Sequence, residues 1–114
     1  MEILQKIKKL NLPEGRFVVM GGAVLELKEI REQLDRLDNN LINTLAERMS
    51  LIPKVAEYKK ENNIARYQPE REEQIIKTKR ARALELKLDP DLVETLFKEI
   101  IKDAHRIEKE IMGE

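Results

Sequence analysis

From Glu26 to about Asn62, Leu27, Ile30, Leu34, Leu37, Leu41, Leu45, Met49, Ile52 and Val55 recur at steps of three or four. That spacing lays apolar side chains along one stripe of an α-helix. No glycine interrupts it, so the pattern predicts a single long first helix. At ~1.5 Å per residue the helix runs about 50 Å, against about 34 Å for the breadth of a compact domain of this length. Its far end must find apolar cover elsewhere, most simply on a second copy of the chain. Pro53 removes the hydrogen bond to the Met49 carbonyl and crowds that turn. A kink near Met49–Pro53 is expected, not a break, because the apolar pattern stays in phase through Val55 and Ala56.

Asn62-Asn63 ends this helix, and Ile64 to Gln68 connects it to the next. Pro69 suits a first helical position and opens a second helix to about Leu86, with Ile75, Ile76, Ala83 and Leu86 as buried candidates. Asp89-Pro90 reads as a cap followed by a starting proline. The third helix carries Leu92, Val93, Leu96, Phe97, Ile100, Ile101, Ala104, Ile107 and Ile111. The fold class expected is all-α, with a long, a short and a medium helix over residues 26–114. Residues 1–25 differ. Met1–Leu10 can form a short amphipathic helix, and Arg16–Met20 is an apolar, β-prone run before Gly21-Gly22. The two adjacent glycines lack the spacing and the lysine of a phosphate loop, so they read as a turn or linker. These residues form an N-terminal appendage.

Composition narrows the function. Among 114 residues, 22 Lys+Arg balance 22 Asp+Glu. Zero net charge opposes bulk binding to nucleic acid or an anionic membrane, although it leaves room for a local basic pocket. There is no Cys and a single His, His105, so thiolate and multi-His metal sites are excluded and no metal is expected. No apolar run approaches the ~20 residues of a membrane span, and no leader pattern opens the chain; a cytoplasmic protein is expected.

Most of the charges suit the wet face of helices. A few adjoin the apolar stripe: Arg31 after Ile30, Arg48 beside Leu45 and Met49, Lys59 beyond Val55, Arg71 and Glu72 in the first turn of helix two, and Glu108 next to Ile107. Arg48 and Lys59 lie eleven residues apart, close to three whole turns, and can share a face. Taken singly, each reads as a snorkelling surface residue. Together, cations near a buried seam suit a small polyanion, above all a dicarboxylate, which arginine can grip with two parallel hydrogen bonds.

The run LKEIREQLDRLDNNLINTLAERMSLIPKVAEYKKENN, followed by YQPEREEQII and LFKEIIKDAHRIEKE, resembles the all-helical class of chorismate mutase over about residues 26–111. The resemblance implies an intertwined homodimer in the aromatic amino acid branch of the shikimate pathway. It also implies an isomerase that rearranges chorismate to prephenate with no cofactor, metal or covalent intermediate. Such an enzyme holds a compact dianion in its folded conformer and stabilises the charge that grows on the ether oxygen as the C–O bond breaks. By the resemblance, Arg31 reaches a substrate carboxylate in the partner chain's site, and Arg48 binds a carboxylate within its own chain. Lys59 donates to the ether oxygen, Arg71 is a further pocket arginine, and Glu72 takes the substrate hydroxyl. Glu108 stands where many members carry Gln as a second donor to that oxygen.

Three departures from the family pattern bear on the site. Gln68 replaces a common Asp that acts partly through its backbone. Ala104 replaces a small polar residue, and Pro53 interrupts the stretch between Arg48 and Lys59. Glu108 has two readings. As a carboxylate it repels the developing charge or pairs with Lys59; protonated, it donates a hydrogen bond. The alternatives to a mutase are an isochorismate pyruvate-lyase, which shares this fold, and a non-catalytic helical dimer in which these cations are ordinary surface charges.

Overall fold

The computed structural model describes residues 26–114. The appendage expected over residues 1–25 lies outside the described residues. Four helical segments follow in order: α1 (Leu27–Ser50), α2 (Ile52–Glu61), α3 (Pro69–Glu85) and α4 (Pro90–Met112). Among the described residues there is no strand, and no helix is long and apolar enough to cross a membrane. Two compact units divide the chain, Met1–Asn43 and Thr44–Glu114. In the first, the described residues are the leading part of α1. Leu27, Leu34, Leu41 and Ile42 are exposed there, Leu41 at 70%, and α1 buries none of its residues.

The second unit holds the end of α1 and all of α2, α3 and α4. The expected long helix is divided at Leu51. Leu51 keeps helical dihedrals (φ −83°, ψ −19°), and its N–H donates to the Arg48 carbonyl at 3.1 Å, one residue short of the usual α-helical partner. Pro53 has no N–H for the next bond, and the ladder resumes where the Val55 N–H meets the Leu51 carbonyl at 3.1 Å. One residue, Leu51, thus separates the two helices, and its backbone stays helical while the hydrogen-bond ladder skips to Val55.

The other boundaries fall where capping chemistry places them. Asn62 and Asn63 end α2, and Asn63 adopts the left-handed conformation (φ 53°) that asparagine tolerates. Pro69 occupies the first turn of α3. The Asp89 side chain accepts from the Asp91 N–H at 2.9 Å and caps α4. Gly113 closes α4 at φ 75°, with its N–H on the Lys109 carbonyl.

α4 packs against both α2 and α3. The buried apolar residues are Ala56, Ile75, Ala83 and Ala104. Alanine at three of these positions lets helices approach closely but contributes little apolar area. Leu86, expected to be buried, is exposed because α3 ends before it, while Leu92 and Leu96 of α4 and Val55 of α2 are also open.

A charged clamp links α3 to the start of α4. Arg80 Nη1 donates to Asp91 Oδ1 at 2.9 Å and to Glu94 Oε1 at 3.1 Å, while Lys98 Nζ sits 2.7 Å from Glu94 Oε2. The hydrogen bond from the Lys98 ammonium does most to hold the Glu94 carboxyl below its ordinary value of 4.5; burial opposes it, and the charges of Lys98 and then Arg80 add to the lowering. A depressed folded-state value stabilises above the ordinary glutamate range, and that contribution is lost as pH falls through the folded value. Arg80→Gln should therefore lower the thermal midpoint at about pH 7 by roughly one to three degrees and by less at about pH 3. Equal gaps at both pH values would show that the Glu94 charge adds nothing to the clamp.

Candidate active site

The connection after α2 creates the site. The Ile64 N–H folds back onto the Lys59 carbonyl at 2.8 Å, which returns the chain past the end of the helix. Arg66 then lies beside Lys59. The Lys59 ammonium donates to the Arg66 carbonyl at 2.8 Å and to Glu108 Oε1 at 2.9 Å. One amine thus joins α2, the connection and α4. Glu108 is only 5% exposed, so this ion pair is screened little by water. Lysine has three N–H donors, and these two bonds leave a third.

His105 forms a second junction. Its Nε2 lies 2.8 Å from Glu72 Oε2, and its Nδ1 meets Arg66 Nη1. A guanidinium can only donate, so Nδ1 is the acceptor and Nε2 carries the proton. This assignment follows from the hydrogen-bond network. The imidazole therefore passes a hydrogen bond from Arg66 to Glu72. Glu108 Oε2 lies 3.6 Å from the same Nδ1, and the Tyr67 ring centroid is 6.1 Å from that of His105.

Around these junctions is a cavity of about 160 Å³, all of whose lining residues belong to the second unit. Arg48, Lys59, Arg66 and Arg71 face Glu72 and Glu108 there, a surplus of two positive charges with His105 neutral. Ile52, Val55, Ile75, Ile101 and Ala104 supply the apolar wall, and Gln68 completes the lining. Arg48 and Lys59 reach this cavity together despite the interruption at Leu51. Arg48 Nη1 and Arg66 Nε are buried with no hydrogen-bond partner among the described residues, although Arg66 Nε has the Glu114 carboxylate 3.5 Å away. A buried guanidinium N–H without an acceptor is costly, and a carboxylate is its best partner.

The remaining candidates sit as follows. Arg71 donates to Gln74 at 2.8 Å on the exposed side of α3. Gln68 donates its amide to the Ala65 carbonyl at 2.9 Å, which fixes the connection ahead of α3. Ala104 is buried and gives the wall no polar atom. Arg31 lies exposed on α1 in the first unit. Sequence reasoning missed Arg66 and His105. His105 follows Ala104 and precedes Glu108 by three residues, so helical spacing alone put it on the site face of α4. Arg66 carried no such signal, because the connection has no periodicity.

A larger open groove of about 730 Å³ shares Arg66, Glu72, Ile101 and His105. The rest of its lining is mostly solvated charge on α4, where Lys98 already pairs with Glu94, and Arg106 with Asp103 at 2.7 Å. The smaller cavity is lined by both residues with an unsatisfied buried donor, Arg48 and Arg66, where the groove has Arg66 alone, and is the better candidate for chemistry.

The sequence of residues 30–109 matches the family model described as chorismate mutase type II. The T-protein of Enterobacter agglomerans is 32% identical over 87 residues, covering 76% of this chain and 23% of that protein. This chain thus spans less than a quarter of that relative's length. The chorismate mutase of Methanocaldococcus jannaschii is 33% identical over 89 residues, covering 78% of this chain and 90% of the relative. The 4-amino-4-deoxychorismate mutase of Streptomyces venezuelae is 33% identical over 89 residues, 77% of this chain and 85% of the relative. The chain belongs to the chorismate mutase type II family.

Proposed function

We propose that this chain rearranges chorismate to prephenate. The observation that carries the reading is the buried, unpartnered Arg48 Nη1 in a cavity that also holds the Lys59 ammonium. The surplus of two positive charges there suits a dianion. Arg48 binds one substrate carboxylate, and Arg71 and the Gln68–Pro69 backbone help to orient it. Glu72 accepts from the substrate hydroxyl. Lys59 turns its third N–H to the ether oxygen and stabilises the charge that builds there as the C–O bond breaks. Holding the two ends of the substrate in reacting geometry supplies the rest of the acceleration. Ala104 leaves room without adding a contact.

The working form on this reading is an intertwined homodimer in the cytoplasm, with Arg31 entering the partner's site. Leu34 and Leu41, one heptad apart on α1, are exposed in the single chain, as are Leu45 and Val55. A second copy is the simplest cover for them. A cavity of about 160 Å³ is also smaller than the ~300 Å³ usual for ligand sites, which fits a pocket completed by another chain.

A second reading keeps the chemistry and changes one substituent. A carboxylate at Glu72 accepts from an ammonium as well as from a hydroxyl, and the Streptomyces relative is a 4-amino-4-deoxychorismate mutase. Both substrates belong in the same assay. Prephenate formed from chorismate supports the first reading; turnover of the amino substrate alone replaces it with the second; salicylate and pyruvate formed from isochorismate, offered as a third substrate, would mark a lyase; and no turnover of any of the three would leave a binding module.

Lys59→Gln keeps a neutral donor toward Glu108 and should cut kcat/KM on chorismate by about 10²- to 10³-fold. Lys59→Ala would in addition strand a buried carboxylate, so its thermal midpoint should fall with its activity. Arg48→Leu should behave oppositely on stability. It removes a buried donor that has no partner, so turnover should collapse while the thermal midpoint holds or rises. A large drop in midpoint would show that Arg48 is structural. Glu108→Gln replaces the carboxylate beside Lys59 with a neutral amide that still accepts from the ammonium and can donate to the ether oxygen, so kcat/KM on chorismate should rise severalfold; an unchanged value would remove Glu108 from the chemistry.

A further inference from the structure

We infer that His105, backed by Arg66, is a positioning residue for Glu72, the carboxylate that on the mutase reading receives the substrate hydroxyl. The inference rests on that reading for the task of Glu72. The relay itself rests on geometry. Glu72 is half-buried in the first turn of α3, and no lysine or arginine pairs with it among the described contacts. Its contact across the fold is the imidazole of His105 on α4, at 2.8 Å.

A neutral imidazole can enter the reverse tautomer, with the proton on Nδ1. That form would present a lone pair to a carboxylate and repel it. Arg66 prevents this: its N–H occupies Nδ1 and fixes the donor on Nε2. Arg66 is in turn held by the Lys59 ammonium, which grips its carbonyl at 2.8 Å, and by the Glu114 carboxylate, 3.5 Å from its Nε. The relay thus connects the group that would stabilise the ether oxygen to the group that would hold the hydroxyl. One oxygen of Glu72 is restrained by His105, and the other is left for substrate. A single-point tether at this distance sets the carboxylate's rotation, as outer hydrogen bonds orient the ligands of metal sites.

The contact between Glu72 and substrate exists before and during the reaction, so loss of its aim should appear in KM more than in kcat. His105→Leu removes both hydrogen bonds and should raise KM for chorismate about tenfold with kcat within about twofold. His105→Gln places an amide N–H near the former Nε2 and should recover most of the loss. Unchanged KM in His105→Leu overturns the proposal, as does an equal defect in the Gln variant.

A second measurement needs no variant and no substrate. The chain has one histidine, so the imidazole ¹⁵N spectrum belongs to His105 alone. At neutral pH it should report the Nε2–H tautomer, and Arg66→Met should give a tautomer mixture. An Nδ1–H form, or a mixture already present in the unaltered chain, overturns the relay. Should the unaltered chain leave chorismate untouched while the Nε2–H tautomer is found, the mutase reading fails and the relay stands.

Discussion

A lysine ammonium sheltered among three elements stays charged only if acceptors replace the water it has lost. Lys59 finds them in the Arg66 carbonyl and the Glu108 carboxylate. Each acceptor belongs to a different part of the second unit, so satisfying one amine fixes the end of α2, the path of the connection and the rotation of α4. The relation runs the other way too. Glu108 is nearly closed off from solvent, and an unpaired carboxylate there would cost several kcal/mol, on the order of 3–5. The pair is weak as a source of stability and strong as a specification of geometry. A hydrophobic pair of the same size could hold the helices equally well, but could not bring an N–H donor to the wall of a polar cavity.

The sparse core makes that specification matter. Ala56 and Ala104 allow α2 and α4 to come close, and Ala83 does the same for α3, yet alanines bury little area. Larger side chains, among them Leu92, Leu96 and Val55, remain open to solvent. Apolar burial within one chain therefore constrains the helices loosely, and directional hydrogen bonds carry more of the register.

Helix limits were legible because they rest on local chemistry. Asp89-Pro90, Pro69 and Asn62-Asn63 act through their own backbone, and each boundary falls where that chemistry puts it. The eleven-residue spacing of Arg48 and Lys59 was also readable, since helical phase carries through Leu51. What periodicity could not reveal is how the ladder breaks. Apolar phase reports side-chain direction, whereas Pro53 acts on hydrogen bonds, and the two separate at Leu51. Arg66 and His105 were missed for different reasons. The position of Arg66 depends on a chain reversal at Asn63 that no pattern encodes. His105 lay on the right face but, as a lone histidine, was weighed only as a metal ligand.

The electrostatics of the cavity complete the argument. The whole chain is neutral, and most of its charges cancel locally, as in the Arg80 and Arg106 clusters. The cavity departs from this rule. It collects two more cations than anions, and two of its guanidinium nitrogens, Arg48 Nη1 and Arg66 Nε, are buried without a hydrogen-bond partner among the described residues. Self-repulsion and desolvation both oppose such an arrangement in the folded chain alone. On the proposed reading a dianion would reverse both terms at once, giving Arg48 its acceptor and cancelling the surplus, whereas an ordinary solvated helix face would have no reason to keep such an arrangement.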